Sequence, residues 1–185
     1  MRFLLPKVAL LIPAAGSGER FGAPIPKALV QLNGRTLIEH AVLNLGPVAS
    51  QIIVAAPEGF EDKFREILGD AVTVVTGGST RTKSVKIALE SIAEDIEFIL
   101  VHDAARPWVK KSHFEDLLTQ LVNDESAQGV FPVISVTDSL RMKKGDETIP
   151  VERENFLHVQ TPQIFYRQSL KTALDVLKKE NLHMS

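Results

Sequence analysis

An α/β fold with a mostly parallel, doubly wound sheet is the architecture that this sequence predicts. Short apolar runs, as expected of strands covered on both faces, alternate along the chain with amphipathic helical patterns. The strand-like runs occupy residues 8–12, 51–56, 71–75, 98–101 and 129–133. Strands that alternate with helices favour a parallel sheet, whose right-handed crossovers gather the carboxyl ends of the strands at one ligand-binding edge.

The segments between these runs carry apolar residues at helical spacing. The predicted stripes fall within residues 37–45, 60–68, 85–92, 114–121 and 170–177. Thr36 with Glu39, and Ser112 with Glu115, have the spacing of capping boxes and predict where the first and fourth of these helices begin.

Composition indicates one globular domain over residues 1–185. Apolar residues make up 44% and charged residues 24%, and the formal net charge of −2 gives no global attraction to nucleic acid or acidic membranes. The chain has no cysteine, which excludes a disulfide framework, a thiol nucleophile and a Cys-ligated zinc site. Lys7 shortens the N-terminal apolar run below that of a signal peptide, and no run approaches the roughly 20 apolar residues of a membrane span. We therefore expect a cytoplasmic protein without nucleic-acid or membrane partners.

Residues 134–153 interrupt the alternation of strands and helices. Apolar residues flank a polar turn over residues 143–148, whose centre, Lys-Gly-Asp, is typical of a hairpin. These apolar residues are Val136, Leu140, Met142, Ile149 and Val151. A projecting hairpin is the interpretation we prefer, and a long surface loop is the alternative. A free hairpin would expose many apolar side chains, so we expect it to pack against an identical hairpin about a two-fold axis.

A glycine-rich loop follows the first predicted strand, over residues 13–22. Its small residues let the backbone approach a ligand, and successive N–H groups can cradle phosphate. The glycine spacing is neither that of a dinucleotide-binding turn nor that of a P-loop. Arg20 lies in the loop and Lys27 follows a stiff Pro-Ile-Pro segment, which places two cations beside it, as suits a triphosphate. The alternatives are an ordinary turn and two solvated surface charges.

A second polar cluster, Gly-Gly-Ser-Thr-Arg-Thr-Lys-Ser, occupies residues 77–84 between a predicted strand and a predicted helix. Ser79 or Thr80 can cap that helix, and the glycines permit close contact with a flat base. An ordinary strand-to-helix turn is equally compatible with the cluster.

The third cluster, residues 101–107, follows another predicted strand. Asp103 is placed to hold Mg²⁺, which takes oxygen ligands from one or two carboxylates and from substrate phosphates. Arg106 can bind a phosphate with two hydrogen bonds. For His102 we favour a structural role with satisfied ring nitrogens, and no His, Asp and Glu residues have zinc-like spacing.

The fourth cluster, Gln-Thr-Pro-Gln-Ile-Phe, occupies residues 160–165. Its amides and the hydroxyl of Thr161 are candidate substrate contacts. Pro162 predicts a turn before the last helix.

Together these clusters resemble the 2-C-methyl-D-erythritol 4-phosphate cytidylyltransferase family. The shared motifs are P-A-A-G-x-G-x-R, P-K, G-G-x-x-R-x-x-S-V, H-D-A-A-R-P and Q-T-P-Q, in family order from residue 13 to 165. The resemblance implies a nucleotidyltransferase (Rossmann-like) sheet with a protruding β-arm, over residues 134–153, that swaps across a homodimer. It also implies a cytidylyltransferase that joins CTP to a small sugar-alcohol phosphate, releases pyrophosphate and uses Mg²⁺.

Carried over position by position, the resemblance assigns a role to each matching residue. Arg20 and Lys27 match the catalytic cations, and Asp103 matches the metal ligand. The nucleotide-binding positions are Ala14, Ala15, Gly16, Gly78, Ser79 and Ser84. The substrate-phosphate positions are Arg106, Ser139, Arg153 and Thr161, of which Ser139 and Arg153 lie on the arm and would serve the partner subunit.

Three departures from the family pattern stand out. Ala28 occupies a position where the family usually has Gln, and Ser139 stands where Thr is common. Family members also continue through an acidic segment to a later Lys that touches the substrate phosphate. We expect either that the protein continues beyond Ser185 or that this contact is missing.

Rival functions come from the same and from other classes. D-ribitol 5-phosphate cytidylyltransferases share most of these motifs, and the two alanines between Asp103 and Arg106 favour methylerythritol phosphate over ribitol phosphate. An inactive nucleotide-binding or dimerising module is opposed by the joint presence of Arg20, Lys27 and Asp103. A Rossmann dehydrogenase is opposed by the glycine spacing.

Overall fold

A mixed sheet flanked by helices forms the centre of the molecule. The computed structural model describes residues 6–16 and 25–179. In chain order its strands are β1 (Val8–Pro13), β2 (Gln31–Leu32), β3 (Arg35–Thr36), β4 (Gln51–Ala56), β5 (Thr73–Thr76), β6 (Phe98–Val101), β7 (Gly129–Val130), β8 (Val133–Ser135), β9 (Leu140–Lys144), β10 (Glu147–Val151), β11 (Leu157–Val159) and β12 (Gln163–Tyr166). The helices are α1 (Leu37–Leu45), α2 (Glu61–Leu68), α3 (Arg81–Glu90), α4 (Lys111–Asn123) and α5 (Arg167–Lys179).

The six-stranded sheet has the order β5-β4-β1-β6-β12-β7. Strands β5, β4, β1 and β6 are parallel, and β12 runs antiparallel to both of its neighbours. The predicted mostly parallel α/β sheet is therefore confirmed. Because the chain passes from β5 over β4 and β1 to reach β6, the strand order reverses beside β1, where ligands bind in open α/β sheets.

Both faces of the sheet are buried, as the continuous apolar runs predict. In β1, Leu10 and Ile12 pack in the cluster that includes α1, α2 and α4. Ala9 and Leu11 point the other way and pack with α3 and α5. Leu10 is fully buried, so its truncation to Ala would cost about 2–5 kcal/mol of stability.

The helix starts test the two predicted capping boxes. At α1 the box is confirmed, because Glu39 N–H donates to Thr36 Oγ1 (3.3 Å) and Thr36 N–H donates to Glu39 Oε2 (2.7 Å). The box predicted from Ser112 and Glu115 is wrong. Lys110, the residue directly before α4, still has an extended backbone. The helix therefore starts at Lys111, and Ser112 falls inside its first turn. Within the described part of the chain, no helix has the length and apolar character needed to cross a membrane.

Two strands differ from the predictions. The run predicted over residues 129–133 is split into β7 and β8 at Pro132, which has no N–H for a ladder hydrogen bond. Residues 160–162 form the predicted turn, but residues 163–166 that follow are β12, a strand inserted between β6 and β7. With only four residues and a polar first one, β12 carries little strand signal in the sequence.

The segment predicted as a hairpin is one. Strands β9 and β10 pair antiparallel, with Met142 opposite Ile149, and Gly145 makes the turn with a φ of 61° that favours glycine. Strands β8 and β11 pair beyond the base of this hairpin, so residues 133–159 form two successive two-stranded ribbons. The single domain over 1–185, and the role of residues 134–153 as a dimerisation arm, stay predictions.

Candidate functional site

The four predicted clusters lie at one edge of the sheet. Parallel strands β1, β5 and β6 end there, and the antiparallel β12 begins there. Backbone hydrogen bonds fix the first three clusters to neighbouring strands: Ala14 N–H donates to Ala55 O (2.9 Å), Gly77 N–H to Ala56 O (2.7 Å) and His102 N–H to Leu11 O (2.9 Å). The edge predicted to bind ligand is therefore where the polar residues meet.

The first loop and the Gly-Gly turn touch each other. A Cβ built on Gly77 would lie 2.4 Å from the Cβ of Ala15, a distance that requires glycine at this position. Ala14 is buried, and Gly16 is the last described residue of the loop. Arg20 lies outside the described residues. The two backbone segments thus form a continuous surface that a flat ligand can approach closely.

Ser84 shapes the Gly-Gly turn. Its buried Oγ accepts the Gly78 N–H (3.1 Å) and donates to the Thr80 carbonyl (3.0 Å). The hydroxyl is therefore used inside the turn. Thr80, not Ser79, caps α3, since its Oγ1 accepts the Lys83 N–H (3.1 Å).

Ser79 is held differently. Lys83 Nζ lies 3.0 Å from Ser79 Oγ. An ammonium group can only donate, so Ser79 Oγ accepts and its own hydrogen is directed elsewhere. The hydroxyl hydrogen of Ser79 is therefore not used by Lys83.

Asp103 lies between two guanidinium groups. Arg81 Nε donates to Asp103 Oδ1 at 2.9 Å, and Arg106 Nε is 3.8 Å from Oδ2. Arg81 Nη2 also donates to Gln163 Oε1 (3.3 Å), and Arg106 Nη1 donates to Gln160 Oε1. The carboxylate and both arginines remain between 31% and 44% exposed, so the group is reachable from solvent.

A hydrogen-bond chain behind Asp103 links the third and fourth clusters. His102 Nε2 is 3.0 Å from the Arg106 carbonyl, which only accepts, so Nε2 carries the hydrogen. His102 Nδ1 then accepts from the Thr161 hydroxyl (3.1 Å), and Thr161 Oγ1 accepts the Asp103 N–H (3.3 Å). Burial lowers the pKa of His102 to about 4, against the opposing hydrogen bond to Arg106. The structural role predicted for this histidine is confirmed.

This burial predicts how stability depends on pH. The folded pKa of about 4 lies below the ordinary 6.5, so the unfolded chain takes up the proton first as pH falls. The stability that comes from keeping His102 neutral is therefore complete above pH 6.5 and is lost as the pH falls toward 4. Between pH 7 and pH 4 the unfolding free energy of the wild type should fall by about 3 kcal/mol more than that of His102→Gln. Urea titrations at several pH values measure this difference, with His158→Gln, an exposed position, as control; parallel curves for wild type and His102→Gln contradict it.

The remaining predicted residues lie on two other segments. Lys27 begins the 3-10 turn Lys27–Leu29, and Ala28, the departure from the family pattern, is buried there. Ser139 is exposed just before β9, and Arg153 donates through Nη1 to the Thr137 carbonyl (2.6 Å), so both lie at the base of the hairpin. The structure thus joins Asp103, Arg106 and Thr161 in one group and Ala15, Gly78, Ser79 and Ser84 in another.

Sequence reasoning missed Arg81 as a site residue. In the sequence, Arg81 is only the Arg of the G-G-x-x-R motif, and no local pattern indicates which residues it contacts. Its position as the first residue of α3 brings it to Asp103 and Gln163, at the ends of β6 and β12. Finding it requires the strand order, because β12 was not predicted.

The donor set limits what metal the site can hold. Within residues 6–16 and 25–179, no three His, Asp or Glu side chains converge as a metal cage. Asp103 offers one carboxylate, with Arg81 on one oxygen. Such a site fits Mg²⁺ that arrives with nucleotide phosphates, since Mg²⁺ commonly takes one or two carboxylates and keeps water and phosphate as its other ligands.

Comparisons with known proteins agree on one family. The profile of the 2-C-methyl-D-erythritol 4-phosphate cytidylyltransferase family matches residues 8–185. A protein of that name from Frankia casuarinae is 37% identical over 172 residues, covering 91% of this chain and 64% of its own length. One from Rhodococcus jostii is 40% identical over 171 residues, covering 90% of this chain and 74% of its own. The crystal structure of one from Thermus thermophilus is 33% identical, with a TM-score of 0.75 and coverage of 97% of this chain and 80% of its own.

Proposed function

The chain belongs to the 2-C-methyl-D-erythritol 4-phosphate cytidylyltransferase family, and we propose that it joins CTP to 2-C-methyl-D-erythritol 4-phosphate with release of pyrophosphate. One observation carries the proposal. The contact between Ala15 and Gly77 and the Asp103–Arg81–Arg106 group lie at the same carboxyl edge of the sheet. A nucleotide laid across that edge meets backbone N–H groups at one end and charged side chains at the other.

The chemistry needs no side-chain nucleophile. A phosphate oxygen of the sugar alcohol attacks the α-phosphorus of CTP, the bond from that phosphorus to the bridging oxygen breaks, and pyrophosphate leaves. Such transfers depend on positioning and on charge stabilisation. Arg20 and Lys27 stabilise the charge of the transition state and leaving group, and Arg106 binds the attacking phosphate. Thr161, whose hydroxyl hydrogen is donated to His102 Nδ1, supports this phosphate site by positioning the Asp103 backbone.

Asp103 is the residue we assign to Mg²⁺. Its Oδ2 is 3.8 Å from Arg106 Nε, beyond hydrogen-bond distance, whereas Oδ1 is bonded to Arg81. When bound, the ion would neutralise charge on the nucleotide phosphates.

We assign Ser79 to the recognition of cytosine. Its Oγ accepts a hydrogen bond from Lys83, and its own hydrogen can be donated to the base. N3 of cytosine accepts a hydrogen bond, whereas N3 of uracil carries a hydrogen. A purine would also need more room beside the tight turn at Gly78.

A homodimer is the assembly we propose. In the β8–β11 ribbon, Val133, Leu157 and Val159 are 44%, 57% and 50% exposed on one face, and Met142 and Ile149 are exposed in the hairpin. A two-stranded ribbon is marginal on its own in water, and exposed apolar strands invite pairing. Packing against a second copy buries this face and brings Ser139 and Arg153 toward the neighbouring site. The cytoplasm, whose reducing conditions suit a cysteine-free chain, is the compartment we propose.

Pyrophosphate release tests the proposal directly. With methylerythritol phosphate, CTP is expected to exceed ATP, GTP and UTP by at least about 100-fold in kcat/KM, because a site built around specific hydrogen bonds rejects a base that leaves them unpaired. Ser79→Ala should narrow the ratio of CTP to UTP, while Lys63→Ala, on the exposed face of α2, serves as control. If UTP is used as well as CTP, the proposed selection of cytosine is wrong. If ribitol 5-phosphate is preferred to methylerythritol phosphate, the proposed sugar-alcohol substrate is wrong.

A further inference from the structure

Arg81 connects three elements at the candidate site. From the first turn of α3 it reaches the end of β6 through Asp103 Oδ1 (2.9 Å) and the start of β12 through Gln163 Oε1 (3.3 Å). The guanidinium group is planar and rigid, so two simultaneous bonds fix its orientation. Its side chain is 37% exposed, which leaves it partly shielded from solvent.

The two oxygens of Asp103 are therefore not equivalent. Oδ1 accepts a hydrogen bond from Arg81, whereas Arg106 Nε stands 3.8 Å from Oδ2, too far for one. Arg106 is in turn held by Gln160. The carboxylate is turned so that Oδ2 is the oxygen available to a cation, and two positive charges flank it.

Those charges oppose the binding of a divalent cation in the absence of an anion. A nucleotide triphosphate reverses the balance, because its phosphates supply negative charge beside the same carboxylate. An arginine cannot lose its proton, so this opposition holds over the whole working pH range.

We propose that Arg81 is a positioning residue with two effects: it orients Asp103 through Oδ1, and its charge keeps the divalent-cation affinity of the free protein low until nucleotide phosphates are present. The inference rests on the proposed role of Asp103 as metal ligand. It makes cation binding depend on nucleotide binding, so the free protein does not trap the ion. Orientation and charge are separable, since a lysine keeps the charge but cannot make the two bonds of the guanidinium fork.

Manganese binding to the nucleotide-free protein is the experiment, with the free Mn²⁺ signal followed by electron paramagnetic resonance. Removing a unit charge this close to the ligand should raise Mn²⁺ affinity about tenfold in Arg81→Gln. Arg81→Lys should keep the low affinity of the wild type but lower kcat, because Asp103 is no longer oriented. Gln163→Leu, which frees Arg81 from its second anchor and keeps its charge, should behave like Arg81→Lys. If circular dichroism shows that Arg81→Gln unfolds, Arg81→Met, which also removes the charge, repeats the Mn²⁺ measurement, and Gln163→Leu still tests the orienting effect.

Asp103→Asn separates the possible failures. Both the single variant Asp103→Asn and the double variant with Arg81→Gln should lose Mn²⁺ binding. If Arg81→Gln binds Mn²⁺ like the wild type while Asp103→Asn loses binding, the role of Arg81 is wrong and the metal ligand stands. If Asp103→Asn binds Mn²⁺ normally, both assignments are wrong, and the transferase reaction is judged separately by pyrophosphate release in the wild type.

Discussion

Replacing Lys27 or Arg20 by alanine is expected to lower turnover by about 10²–10³-fold while the unfolding midpoint hardly changes. Loss of one preorganised charge-stabilising donor has an effect of this size in transition-state stabilisation. For Lys27 the structure explains why folding should survive. The 3-10 turn is held by Leu29 N–H to Pro26 O (2.9 Å), by Val30 N–H to Lys27 O (3.1 Å) and by the buried Ala28 and Leu29. These interactions are independent of the lysine ammonium.

Matched controls are available on the surface. Lys63 is an exposed lysine of α2 paired with Glu66 at 2.8 Å, and such pairs contribute little. Lys63→Ala should keep full turnover. For Arg20, which lies outside the described residues, the exposed Arg35 is the corresponding control. A well-folded Arg20→Ala or Lys27→Ala protein with near-normal turnover would remove that residue from the catalytic assignment.

Most of the fold could be predicted from the sequence because its signals are local. Strands β1, β4 and β6 are runs buried on both faces, and the helical stripes mark α1 to α5. The antiparallel insertion of β12 could not be predicted, since a four-residue strand is defined by its partners β6 and β7. The start of α4 was predicted two residues too late. Ser112 and Glu115 have the spacing of a capping box, but the helix begins directly after the extended backbone of Lys110.

The candidate site, like the fold, could be predicted from the sequence only where its signals are local. That Asp103 and Arg106 lie close together follows from their spacing after a strand, and His102 is buried beside them as a structural residue. The ion pair of Arg81 with Asp103 joins residues 22 apart in sequence, so no local pattern contains it. Likewise, the commitment of the Ser84 hydroxyl to the Gly-Gly turn depends on side-chain geometry that spacing does not give.

A mixed dimer built from two nearly inactive variants is expected to recover activity if the arms complete each other's sites. Arg153 lies at the base of the hairpin, where its guanidinium donates to the Thr137 carbonyl at 2.6 Å, and we assign it to the neighbouring subunit's substrate phosphate. We assign Lys27 to the site of its own subunit. When Lys27→Ala and Arg153→Ala subunits are mixed, each mixed dimer has one site with neither lesion and one with both. Random exchange makes half of the dimers mixed, so about a quarter of wild-type activity should return.

The opposite mixture distinguishes shared from separate sites most sharply. When wild-type subunits are mixed in equal amounts with Lys27→Ala/Arg153→Ala subunits, shared sites leave activity only in wild-type homodimers, about a quarter of the total. If Arg153 instead serves its own subunit, every wild-type chain stays active and about half of the activity remains. Subunit exchange is verified by mass spectrometry of dimers carrying one isotope-labelled chain. Half activity after verified exchange overturns the shared site, because Arg153 would then serve its own subunit. A monomer by sedimentation overturns it too, and the apolar face of Val133, Leu157 and Val159 would then not be covered by a second copy.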